Sequence, residues 1–188
     1  MKAEKLMQES LELVMDADEI LKAIHSIAHE ILEKHKDPAG LVIAGIPTRG
    51  VEVARRITAH LAQVGRGKPE LGVVDVSMHR DDLSTRQRFT TVETTHLPVD
   101  LDGRPMVLVD DVLFTGRSCR AAMDAISSFG RPSRIEYAVL VDRGHRELPI
   151  RADYVGRSLP TSRDQKIRVR FETIDSELDS VRIVTPSA

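Results

Sequence analysis

"MVLVDDVLFTGRS", residues Met106–Ser118, decides how the rest of the chain is read. An apolar run from Met106 to Val109 meets two adjacent acids, Asp110 and Asp111, and a small polar turn, "TGRS" (Thr115–Ser118), follows. A short uninterrupted apolar run marks a strand buried on both faces. The turn opens a helix expected over Ser118–Phe129, with Gly130 as its stop. In open parallel sheets ligands lie outside the carboxyl ends of the strands. A helix start offers unpaired N–H groups and a positive dipole end, which suit phosphate. Gly116 permits close backbone approach, and Thr115 and Ser118 add hydroxyls. The chain has no G-x-x-x-x-G-K-[ST] and no G-x-G-x-x-G after a strand. What sets this turn apart is the acid pair, because carboxylates accept the hydrogen bonds that vicinal sugar hydroxyls donate. The pattern therefore suits a ribose 5-phosphate, with the acids on the 2′ and 3′ hydroxyls and the loop on the 5′ phosphate. The plain alternative is a helix-opening turn that happens to follow acids at a strand end.

Outward from this stretch, strands alternate with helices. "LELVM" (Leu11–Met15) reads as a short strand. Asp16 caps a helix, with Glu19 as the capping-box acid. Ile20, Ile24, Ile27 and Ile31 recur at helical spacing, and "DPAG" (Asp37–Gly40) ends the helix. "LVIAGI" (Leu41–Ile46) is a buried strand, "PTRG" a turn, and about Val51–Val64 a helix ending near Gly65. "LGVVDVSM" (Leu71–Met78) and "IEYAVLV" (Ile135–Val141) read as strands, and "HRDDLSTRQRF" (His79–Phe89) as a loop. "TVETTHLPV" (Thr91–Val99) is an extended arm or hairpin strand. From Asp142 to Gln165 the chain is rich in turns, and "KIRVRF" and "VRIV" close it as strands. The order argues an α/β fold with a mostly parallel sheet in one domain.

Bulk composition is consistent with this. The 188 residues are 41% hydrophobic and 30% charged with a net charge of −2, so a nucleic-acid surface would have to be a local basic patch. Aromatics make up 3% and Trp is absent, which argues against a single-strand binder built on stacked bases. The single cysteine, Cys119, cannot form an internal disulfide, and no apolar run approaches a membrane span; a cytoplasmic location is expected. Cys119 reads as helix packing rather than as a nucleophile.

The hydrophobic run, the two acids and "TGRS" resemble the PRPP-binding signature of the type I phosphoribosyltransferases. "IPTRG" (Ile46–Gly50), "HRDDLS" (His79–Ser84), "VDDVLFTGR" and above all "AVLVDRGHRELPIRADYVG" are similar to the PyrR family, whose members regulate pyrimidine operons by attenuation and have uracil phosphoribosyltransferase activity. The likeness runs from about Leu11 to the closing strands. It implies a type I phosphoribosyltransferase fold over residues 1–188. A small hood would be built from the N-terminal segment and about 142–184. PRPP would meet Thr48, Arg49 and Gly50 at its pyrophosphate. It would meet Asp110, Asp111, Val112, Leu113, Phe114, Thr115, Gly116, Arg117 and Ser118 at its sugar and phosphate. Asp110, Asp111 and a lid residue, Arg80, are the catalytic candidates, Asp111 as the group that stabilises an oxocarbenium-like ribosyl centre. Mg²⁺ is expected through PRPP and water rather than on a dedicated protein cage. Arg143 and the backbone near Ile167 would border uracil. The bland readings are a plain turn at "PTRG", a solvated charged loop around Arg80, and a structural Asp142–Arg143 pair.

The resemblance also implies a basic face for RNA hairpins of the pyr leader, under control of UMP or UTP. The first helix offers His25, His29 and Lys34 off its apolar stripe, and the late segment His145, Arg146 and Arg157. A homodimer or higher homo-oligomer could join them. The sequence departs from the family at His79, where a tyrosine is usual, and at Ser26 and Lys34, where arginines are frequent; Lys cannot make a planar bidentate contact. A transferase for another base without RNA control, and an RNA regulator with negligible catalysis, are the competing functions.

Overall fold

The computed structural model describes residues 10–65, 67–77, 94–98 and 100–186. Its centre is a five-stranded parallel sheet in the order β3-β2-β4-β5-β6. These strands are β2 (Val42–Gly45), β3 (Glu70–Val73), β4 (Pro105–Leu113), β5 (Arg134–Asp142) and β6 (Tyr154–Ser158). A separate antiparallel sheet, β1-β8-β7, is made of β1 (Ser10–Met15), β7 (Lys166–Arg170) and β8 (Ser180–Thr185). This smaller sheet joins the first and last parts of the chain, where the hood is expected.

Helix α1 (Ala17–His35) begins as the sequence predicts. Asp16 accepts from the Glu19 amide at 2.9 Å, and Glu19 accepts from the Asp16 amide at 3.1 Å. Its buried stripe of Ile20, Ile24, Ile27 and Ile31 packs with α2 (Arg49–Val64) on one face of the large sheet, and that core extends to Val169, Phe171 and Val181 of the smaller sheet region. Each fully buried isoleucine contributes roughly 1.5–3 kcal/mol. Helix α3 (Arg117–Ile126) covers the opposite face through Cys119, Ala121, Ala122, Ala125 and Ile126. The parallel strands are therefore buried on both sides, which is why they read as continuous apolar runs.

Four sequence expectations shift. Strand β3 stops at Val73 because Asp75 turns the chain, accepting from the Ser77 amide at 2.8 Å and the Ser77 hydroxyl at 2.9 Å. The arm at Thr91–Val99 contributes, within its described part, a single antiparallel bridge between His96 and Val73. Helix α3 ends at Ile126, and Ser127–Phe129 form turns instead. Strand β6 lies inside the segment read as turns. Gly156 masked it: a Cβ there would stand 2.7 Å from the Leu140 carbonyl oxygen and 3.1 Å from Ala23 Cβ, so the bare backbone lets α1 sit close over the sheet.

Candidate active site

Strand β4 does not stop before its acids; it runs through both to Leu113, with Asp110 opposite Val139 and Val112 opposite Val141 on β5. The turn then reverses at Gly116, whose φ of 93° is left-handed, and α3 starts. A side chain at Gly116 would be strained and would also press on Ile150 at 3.3 Å. The Arg117 amide points to the Thr115 hydroxyl at 3.4 Å. A helix start of this kind is a favourable place for an anion, through its main-chain N–H groups and the positive end of the helix dipole.

Asp110 is buried. Its Oδ1 accepts from the Asp111 amide at 2.9 Å, and its Oδ2 accepts from the Tyr137 hydroxyl at 3.3 Å. Burial, with the Asp111 charge beside it, pushes the Asp110 carboxyl well above the ordinary range. Burial next to Asp110 likewise pushes the Tyr137 phenol up. Asp111 is only half-buried, so the two acids differ in environment although they are adjacent. The Cys119 thiol, pushed up to about 12 by burial and the nearby Asp110 and Asp153 charges, stays protonated; this is a packing cysteine, as expected.

One cavity of about 520 Å³ collects most of the expected ligand contacts. Asp110, Val112 to Ser118, Arg143 and Ile167 all line it. Arg143 lies over the Phe114 ring at 4.1 Å, with its Nε on Thr161 Oγ1 at 3.1 Å and Nη2 on the Ser162 carbonyl at 2.9 Å. The alternative Asp142–Arg143 pair does not form: Asp142 binds Arg146 and the Gly144 amide. Arg143 is therefore held at the cavity wall by hood-side residues.

Thr48, Arg49 and Gly50 of the "PTRG" turn do not line this cavity, but the turn abuts the strand that carries the acids. Gly50 packs on the backbone at Val109 and Asp110, and Ile46 donates to the Val109 carbonyl at 2.8 Å. Thr48 precedes α2 without a side-chain capping bond. The Arg49 guanidinium, expected on pyrophosphate, is closed onto Asp175 at 2.5 Å and 3.3 Å. Asp175 belongs to a short helix, α4 (Glu172–Asp175), and also binds Arg170 at 2.6 Å. Arg49 thus ties α2 to the smaller sheet. Arg80 and the rest of the expected lid, 79–90, lie outside the described residues.

The residues expected on an RNA face divide. His25 and His29 sit on α1 beside His60 of α2: His25 stacks on His60 with ring centroids 3.8 Å apart, and His29 lies 5.0 Å from it. Burial and the two neighbouring imidazoles hold the His60 pKa down. Lys34 pairs with the buried Glu136 at 2.9 Å, and Arg157 with Glu19 at 2.9 Å. His145 and Arg146 do not line the cavity but contact Phe114, which does. His145 meets the Thr161 carbonyl at 2.5 Å and the Phe114 ring edge at 6.0 Å. Arg146 donates to the carbonyls of Phe114, Gly144 and Ile150 and binds Asp142. Its guanidinium braces the chain at Phe114, just before the turn.

Tyr137, Glu147 and His60 are the residues here that the sequence did not single out. Tyr137 reads as one more apolar residue of β5, and only its hydroxyl betrays the contact with Asp110. Glu147, inside "DRGHRE", joins Arg117 and Arg163 at 3.1 Å and 2.7 Å.

A phosphoribosyl transferase domain model matches residues 12–173. The chain is 50% identical over 175 residues to the bifunctional protein PyrR of Roseiflexus sp. (strain RS-1), covering 93% of this chain and 96% of that protein. It is 49% identical over 164 residues to the bifunctional protein PyrR of Thermus aquaticus, covering 87% and 91%. Among solved structures, a hypoxanthine-guanine phosphoribosyltransferase of Bacillus anthracis superposes with a TM-score of 0.69 at 14% identity, over 95% of this chain and all of that one. The hypoxanthine phosphoribosyltransferase of Trypanosoma cruzi gives 0.68 at 17%, over 94% and 97%. At those identities the superpositions speak for the fold.

Proposed function

The chain belongs to the phosphoribosyltransferase family and, within it, to the PyrR proteins, and from that premise we propose that it couples uracil salvage to control of pyrimidine genes. The reaction is uracil plus PRPP to UMP plus pyrophosphate. The observation that carries this reading is one cavity that joins Asp110 and the Val112–Ser118 turn to Arg143 and Ile167, with Asp111 next to it in the chain. Its turn suits the 5′ phosphate, Asp110 with the adjacent Asp111 the ribose hydroxyls, and its far wall a planar base.

In this arrangement the C1′–oxygen bond to pyrophosphate breaks with its electron pair on the leaving group. Uracil N1 forms the new bond, and its proton passes to the released pyrophosphate. Asp111, the more exposed acid, stabilises the positive charge that builds on the ribosyl carbon. Asp110, held by Tyr137, accepts from a ribose hydroxyl. Gly50 and the turn before α2 bring main-chain donors toward the pyrophosphate. Mg²⁺ would be held by PRPP's own oxygens and water, with the half-buried Asp111 carboxylate on the sugar side. When bound, the ion would neutralise leaving-group charge.

The second activity is binding of pyr-operon leader RNA hairpins under control of UMP or UTP. His25, His29, Lys34 and Arg157 on and around α1 support that role, because they lie away from the cavity on a separate surface. His145 and Arg146 lie apart from α1, packed about Phe114, and are the members of the expected face that fit it least. A homodimer, cytoplasmic like the substrates, would double the RNA surface. Among the described residues no helix is long and apolar enough to cross a membrane.

Labelled PRPP offered with uracil, hypoxanthine, guanine and orotate tests the enzyme assignment. Uracil is expected to be turned over; turnover of a purine but not of uracil overturns it.

A further inference from the structure

Glu147 stands where the phosphate turn meets the late loop. Its amide donates to the Thr115 carbonyl at 3.0 Å, and the Leu148 amide to the same oxygen at 3.2 Å, so the loop is fastened to the turn itself. From that anchor its carboxylate accepts from Arg117 Nε at 3.1 Å on one oxygen and from Arg163 Nη2 at 2.7 Å on the other. Both arginines line the cavity, one at the start of α3 and the other on the segment leading to β7. A single carboxylate therefore holds two guanidiniums beside the turn expected to bind an anion. Carboxylate and phosphoryl oxygens use the same donor fork of arginine, so the two compete for it.

We propose that Glu147 is a built-in competitor for the anionic part of the ligand: it bridges Arg117 and Arg163 and yields them when a phosphoryl group enters. The inference rests on the reading that Thr115–Ser118 receives a phosphoryl group. It assigns a role to a loop residue that touches no substrate and acts only through the arginines. It also makes ligand affinity adjustable at the rim without altering the acids or the turn. The side chains are 38%, 32% and 74% exposed for Arg117, Glu147 and Arg163, so solvent screening keeps the effect modest, about twofold to fivefold in affinity.

The test is calorimetric titration of PRPP with Mg²⁺ into the full chain, the Glu147→Gln variant, the Glu147→Gln/Arg163→Ala double variant and Gly116→Val, each at low and high salt. Glu147→Gln is expected to bind about twofold to fivefold tighter at low salt. The gain should shrink at high salt and be smaller in the double variant, where only Arg117 is left to be released. An unchanged or weaker affinity for Glu147→Gln overturns the proposal, since the carboxylate would then organise the arginines or do nothing. If that result comes while the unaltered chain binds PRPP and Gly116→Val does not, the phosphate turn stands and only the competitor role fails. If the unaltered chain binds no PRPP, both fall.

Discussion

Gly50 lies directly against Asp110: a Cβ on Gly50 would stand 3.0 Å from the Asp110 Cα and 2.7 Å from the Val109 carbonyl oxygen. The contact joins the start of α2 to the strand that carries the acids, so two turns far apart in sequence share one wall. Gly50→Ala forces backbone apart there. The expected result is a loss of about 1–3 kcal/mol of stability together with weaker PRPP binding. Gly40→Ala, where nothing lies within 4 Å, should leave both unchanged. Denaturation midpoints and PRPP titration check the pair, and a harmless Gly50→Ala removes the shared wall.

Asp110 is costly to the fold. Its carboxyl is raised by burial and by the Asp111 charge. An acid raised in the folded state takes up protons on folding, so its ionisation destabilises the fold as pH climbs from the ordinary carboxylate value through the folded one. Asp110→Asn should match the unaltered chain near pH 3 and become progressively more stable than it as pH rises, while losing turnover. Urea midpoints across pH read the first effect and PRPP turnover the second. An Asn variant less stable at neutral pH contradicts this account.

Glu136 behaves in the opposite sense. Burial pushes its carboxyl up, but hydrogen bonds from Lys34, Tyr154 and His35 outweigh that and hold it at about 2. A lowered folded value gives stability that is full above the ordinary 4.5 and lost as pH falls toward about 2. Tyr154→Phe, which removes the 2.6 Å bond to Glu136, should flatten that acid limb in a pH series of unfolding midpoints. An unchanged limb would show that the bond contributes nothing to the shift.

For RNA, filter retention of a pyr leader hairpin should fall for His29→Ala and Arg157→Ala, with a shallower salt slope for the lost Arg157 charge. Arg146→Ala should instead weaken PRPP binding, because its guanidinium braces Phe114 and Asp142. The reverse pattern would place the RNA face on the cavity loop.

What was legible in the sequence followed from local rules. The capping box at Asp16 and Glu19, the isoleucine stripe of α1 and the apolar runs of β2, β4 and β5 each announce themselves through spacing or burial on both faces. The Asp110–Ser118 turn was readable because strand, acids and helix start are contiguous. Arg143 and Ile167 came from family resemblance, and the structure brings them to the same cavity. The strand at Tyr154–Ser158 was not legible, because Gly156 serves helix packing and mimics a turn. Nor was the engagement of Arg49 by Asp175 or of Arg117 by Glu147. Such pairs join residues 126 and 30 positions apart, and charge at one position says nothing of its partner.

The most direct measurement is a crystal structure of the chain with UMP. The account predicts the phosphate on the main-chain donors of Thr115–Ser118, ribose hydroxyls on Asp110 and Asp111, and the pyrimidine between Arg143 and Ile167. A nucleotide bound elsewhere, with that turn empty, contradicts it.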